Sequence, residues 1–149
     1  MVYSPAKPLK RRHLAAILVT TCFGHPSSAE QWIGGNYASY PDYQRWNKQL
    51  NWIDGNIANG PADFAVFSGE QRYTFVEIGE NTVVNKIVVS DSYQIIRVLD
   101  DLNGAKLLFS GTTPQIDIAQ GVVATISGSV SADSRLEKAG LGRVVLGYY

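Results

Sequence analysis

A mainly β domain, a sandwich or jelly-roll-like antiparallel fold with an N-terminal arm and one amphipathic helix, is what this sequence predicts, on three observations. From residue 61 onward Val, Ile, Thr, Ser and Gly dominate and strong helix formers are scarce. The same region falls into about eight short β-rich runs at spacings near ten residues, the pattern of a β-sandwich or barrel. Only one segment, 39–60, carries a sustained helical rhythm. With 149 residues and a hydrophobic fraction of 45%, the chain is long enough for one core and has the composition of a globular domain.

The arm and an aromatic loop occupy residues 1–38. Residues 2–13, VYSPAKPLKRRH, combine two prolines with a basic cluster and read as extended or irregular. Lys7, Lys10, Arg11 and Arg12 belong to a segment with no acid before Glu30, so nine basic residues face 13 acidic ones in the rest of the chain. A basic arm thus precedes a mildly acidic body, and the sign of that body disfavours nucleic-acid binding by the β-domain. Leu14 to Gly24 is an apolar run too short to span a bilayer, which takes roughly 20 residues. Two fates of the arm follow from these residues. A positive flank, a short apolar run and HPSSA outline a secretory signal cleaved after Ala29. Alternatively the arm is retained, with its apolar part buried as a strand or short helix and Lys10, Arg11 and Arg12 touching a neighbouring chain. Val19-Thr20-Thr21-Cys22 is similar to a bacterial lipobox, with Thr where a small Gly, Ala or Ser is usual.

The helix of 39–60 places Tyr43, Trp46, Leu50, Ile53 and Ile57 at steps of three and four, on one stripe. Ser39 and Asp42 stand at capping-box spacing, Pro41 suits a first turn, and Gly55 and Gly60 offer stops. That stripe needs a partner, either the sheet or another subunit. Trp32 and Trp52 lie off it; stacking against a sugar ring or a base is their functional reading and requires their exposure.

In the β-domain of 61–149, the expected strands are 62–68, 72–78, 82–89, 93–99, 105–110, 115–119, 122–131 and 142–149. Asn103-Gly104 suits a type I′ turn pairing 97–102 with 105–110. Ile95-Ile96 and Val83-Val84 are continuously apolar, which implies bulges or burial on both faces, through an oligomer or a covering N-terminal helix. Tyr148 and Tyr149 close the sequence and are expected in or beside an interface.

Motifs for catalysis are lacking: there is no G-x-x-x-x-G-K-[ST], no G-x-S-x-G and no H-E-x-x-H. No cofactor is implied and no enzyme is expected. Cys22 and His25 make a C-x-x-H pair, but with His13 they fall short of the four ligands a closed zinc site needs. Asp100, Asp101 and Asn103 group oxygen ligands as calcium loops do, and Asx-rich turns do so without metal as well. A single cysteine excludes an intramolecular disulfide.

Arm, aromatic helix and turn-rich β-domain together resemble, in layout alone, the small structural proteins of tailed-phage virions: head decoration proteins, tail fibres and adaptors. The resemblance implies a non-enzymatic virion protein acting through oligomeric contacts, with a trimer as the expected form. The arm would dock on another virion protein, and Trp46, Leu50 and Ile53 would lie at the centre of the contact. The competing expectation is a secreted or periplasmic bacterial β-sandwich that recognises carbohydrate or a surface protein after cleavage near Ala29.

Overall fold

Alternation of apolar and polar residues in the runs after residue 60 produces strands, and their buried positions recur in step from one strand to the next. The computed structural model describes residues 28–34, 45–68, 73–90, 93–98 and 104–147. Eleven strands are present among them: β1 (Ala29–Trp32), β2 (Gly60–Phe67), β3 (Tyr73–Ile78), β4 (Thr82–Val89), β5 (Tyr93–Val98), β6 (Leu107–Phe109), β7 (Gln115–Ile118), β8 (Val123–Ser127), β9 (Val130–Ala132), β10 (Glu137–Ala139) and β11 (Arg143–Gly147).

Every pairing between these strands is parallel. One sheet runs β1-β2-β4-β6-β9, with β7 joining β4 to β10, and the other runs β11-β8-β5-β3. Apart from β1, which pairs with the next strand β2 through Ala29 and Phe64, each strand pairs not with its neighbour in sequence but with one roughly 20 to 30 residues away, which is the connectivity of a solenoid. β4 shows how the coil turns. Its first half, Thr82 to Val84, pairs with β6, and its second half, Lys86 to Val89, pairs with β7. The corner falls at Asn85, whose Nδ2 donates to Ser110 O at 2.9 Å. One coil later the Ser110 hydroxyl bonds the Asp133 carboxylate, so the corner is lined by a short polar ladder.

Inward positions stack coil upon coil. Val76, Ile96 and Ile126 are in register and fully buried, as are Val84 with Phe109 and Val89 with Ile118. Each buried aliphatic side chain contributes about 1.5 to 3 kcal/mol relative to exposure, and the solenoid multiplies that gain along its axis. On the outer face Lys86 and Asp117 pair at 2.9 Å, a partly exposed bridge of modest value.

The antiparallel expectation is therefore corrected. β5 and β6 do not pair: β5 lies between β3 and β8, and β6 between β4 and β9. Gly104 has the positive φ of +63° that a tight turn favours, but turn chemistry specifies only that the chain bends. It does not decide whether the next strand folds back on the last one or crosses to the other sheet. Doubly apolar runs such as Val83-Val84 and Ile95-Ile96 have an explanation within one chain. Their outward members, Val83 and Ile95, are half-buried, each lying beside a residue of the adjoining coil.

The amphipathic helix of 39–60 is likewise corrected. Over the described residues 45–57 the chain forms two 3₁₀ turns, Gln49–Asn51 and Ile53–Gly55, separated by Trp52 in extended conformation, and the second is interrupted within by Asp54 at φ 59°. The cause is the indoles. Trp46 and Trp52 are six residues apart, which on an α-helix would place them on different faces, yet both rings are buried. Trp46 Nε1 donates to Ala58 O and Trp52 Nε1 to Trp46 O, each at 2.7 Å. An irregular path satisfies both donors and buries both rings, which a regular helix would not do.

Candidate interaction surfaces

The two ends of the solenoid differ. At the first coil, Trp32, Trp46 and Trp52 pack edge to face over Phe67, with centroids 5.0 Å apart for Trp46 and Trp52 and 5.1 Å for Trp32 and Trp52. Backbone bonds from Ile33 N to Asn51 O and from Trp46 N to Glu77 O, both 2.9 Å, tie this aromatic plug to the coil. The three indoles are buried there, while Ile33, Leu50 and Ile53 around them are exposed.

At the last coil the interior is open. Leu146 occupies the same inward register position as Val76, Ile96 and Ile126, which are 0% exposed, yet it is 54% exposed. Beside it a hollow of about 310 Å³ is bounded by Ile126, Val130, Ala132, Leu136 and Leu146. Strands β9, β10 and β11 each pair on one side only among the described residues, so their outer edges present free backbone donors and acceptors.

A second surface is a trough of about 450 Å³ on the outer face of the β3-β5-β8-β11 sheet. Phe75, Ile95 and Thr125 form one register row, and Glu77, Arg97 and Ser127 the adjacent one. Thr125 and Ser127 are buried, while Arg97 reaches solvent. An apolar floor with a guanidinium at one side can take a ligand that has both a CH face and a polar group.

The predicted site residues are dispersed. Trp46 is 1% exposed and belongs to the core instead of a contact surface, while Leu50, from the same predicted stripe, is 80% exposed. Ile53 is exposed and Ile57 packs against the core edge. Trp32 and Trp52 are interior, so neither presents a ring face for stacking, and the ligand-binding role expected of them is corrected to a structural one. Tyr43, Lys10, Arg11, Arg12, Tyr148 and Tyr149 lie outside the described residues, as do His13, Cys22, His25 and the Asp100, Asp101 and Asn103 cluster. Among the described residues no group of three His, Cys, Asp or Glu is placed to hold a metal, and no helix is long and apolar enough to cross a membrane.

No sequence motif marks Leu146, Phe75, Ile95 or Arg97 as a surface site. The signal that reveals Leu146 is the recurrence of an apolar residue at 76, 96, 126 and 146, a repeat on the scale of a solenoid coil. Comparison of the chain with family models, with curated proteins and with solved structures finds no match.

Proposed function

We propose that this chain is a non-enzymatic structural protein of the virion type, a decoration, fibre or adaptor subunit that acts through protein contacts at the end of its solenoid. The observation that carries the reading is Leu146, an inward residue left half uncovered where its three register mates are fully buried. Solenoids need their terminal coils covered, because the stacked apolar interior is otherwise presented to water. In this reading the N-terminal arm engages another virion protein, and the open last coil is covered on assembly. Trp46 is core and takes no part in that contact.

Support for a retained arm comes from the entry to β1. Ser28 O accepts from Phe64 N at 2.8 Å, Ser28 Oγ donates to Asp63 Oδ1 at 3.3 Å, and Ala29 pairs with Phe64 in the sheet. Cleavage after Ala29 would remove these contacts. A chain starting at Glu30 is expected to lose about 1 to 2 kcal/mol relative to one starting at Val2, measured by urea unfolding; equal stabilities would show that residues 28 and 29 contribute nothing.

The secreted binding module remains the second reading, favoured by the trough of Phe75, Ile95, Arg97, Thr125 and Ser127, whose lining suits a saccharide. Intact mass and sedimentation of the native protein separate the two. The structural reading expects chains that retain residues 2–29 and travel with a large assembly. Free chains beginning near Glu30 would overturn it.

A further inference from the structure

We infer that the trough on the outer face of the β3-β5-β8-β11 sheet is a binding site for an acidic saccharide, in which the Arg97 guanidinium holds a uronate carboxylate while the CH face of the sugar lies on Phe75 and Ile95. The inference rests on the reading of the trough as a saccharide site and adds the charge of the ligand and the group that reads it.

Charge selects the ligand. Beyond the N-terminal arm the chain is acidic, with nine basic residues against 13 acidic ones, yet this face has the opposite sign. Arg45 stands beside Glu77 in an isolated bridge, and Glu77 stands beside Arg97 in the sheet. Arg143 projects on the same side of β11 as Val145, which is in register with Thr125. Among the described residues the face therefore carries three arginines and one glutamate. Glu77 lies between two of the arginines and offsets only one charge. Arg97 and Arg143 are exposed and have no ion-pair partner among the described residues. On the outer face of the other sheet the cation is already engaged, since Lys86 bonds Asp117 at 2.9 Å.

Geometry sets the shape of the ligand. Arg97 is two residues from Ile95 on the same side of β5, about 6.6 Å along the strand, so a charged row borders an apolar one. A uronate sugar divides in the same way, with a CH-lined ring face and a carboxylate at the ring's edge. The guanidinium fork matches that carboxylate through two parallel N–H···O bonds. Four strands about 4.8 Å apart give the apolar row of Phe75, Ile95, Thr125 and Val145 a length of about 14 Å, which accommodates an oligosaccharide laid across the strands. The hollow of about 450 Å³ is in the usual range for a small-ligand site, about 300 to 1,000 Å³.

Other occupants fit less well. β5 and β8 are paired on both sides, so the floor has no free strand edge for an incoming peptide and recognition falls to side chains. The chain's own arm bears Lys7, Lys10, Arg11 and Arg12, the same sign as this face. Single-stranded nucleic acid is held by successive aromatic platforms, and Phe75 is the one aromatic ring among the described lining residues.

Isothermal titration calorimetry of the full chain at low salt, with oligogalacturonate, oligoglucuronate and the methyl ester of each, tests the proposal. The acids are expected to bind at least about tenfold more tightly than the esters, and Arg97→Gln to bring them down to the level of the esters. Arg97 is exposed, so the circular dichroism spectrum should not change. Arg135→Gln removes the same charge from an exposed position between β9 and β10, outside the trough, and should leave the affinity within about twofold. Phe75→Leu should weaken acids and esters alike. Acids that bind no more tightly than their esters, or whose binding Arg97→Gln leaves unchanged, overturn the proposal; esters that still bind and are weakened by Phe75→Leu would then leave the trough as a site for neutral saccharides. Absence of binding by every saccharide defeats both the proposal and the reading of the trough on which it rests. Tighter binding of an oligothymidylate than of either acid would also overturn it, in favour of nucleic acid.

Discussion

Trp46→Ala is expected to lower the stability of the fold by about 4 kcal/mol, and Leu50→Ala by less than about 0.5 kcal/mol, although both lie on the same predicted helical stripe. Removing the indole empties a site in contact with Trp52 and Phe67 and takes away the donor to Ala58 O. A buried carbonyl left without its partner adds to the cavity cost. Leu50 is 80% exposed and loses almost nothing by truncation. Against a typical domain stability of about 5 to 15 kcal/mol, the tryptophan change should bring the protein close to unfolding at moderate temperature. Urea denaturation of the two variants decides the matter. Similar midpoints would mean that the segment around Trp46 lies outside the core.

Gly111→Ala is the second large effect, at about 3 to 4 kcal/mol. Gly111 has φ +109°, and an added Cβ would lie 2.2 Å from Pro61 O and 2.4 Å from Asn85 Nδ2. Two costs combine there: the left-handed backbone, at about 1 to 2 kcal/mol for a residue with a side chain, and overpacking of about 1 to 3 kcal/mol. The neighbours cannot yield cheaply, because one is backbone of an earlier strand and the other donates to Ser110 O across the corner. Gly121→Ala is the control. Its φ is +80° and nothing lies within 4 Å of an added Cβ, so only the backbone term of about 1 to 2 kcal/mol applies. Thermal melts of the two variants should separate clearly, and coincident curves would show that the coils are not in close contact at the Asn85 corner.

These predictions bear on what kind of object the chain is. Two ends of one solenoid have been finished differently, with an aromatic plug at one and bare β-edges at the other. That asymmetry is the physical basis for proposing a protein whose work is done in an assembly.

The sequence by itself determined that this protein is β-rich and where most of its strands lie, because β-branched residues and Gly or Asn turns act locally. Val83-Val84 and Ile95-Ile96, read as buried on both faces, are buried on one and half-buried on the other. Pairing was decided only in the tertiary structure. Strand spacings near ten residues fit an antiparallel sandwich and a parallel solenoid equally well, and the choice depends on which strands, 20 to 30 residues apart, bury each other's faces. The step of three and four between Trp46, Leu50, Ile53 and Ile57 was a true apolar rhythm but not a helix. Burying the rings of Trp32, Trp46 and Trp52 together at the end of the first coil, each where it could reach Phe67 or another indole, outweighed local periodicity. Leu146 illustrates the same limit from the other side. Its sequence context is that of any inward leucine, and only the absence of a coil beyond it among the described residues turns a core position into a surface.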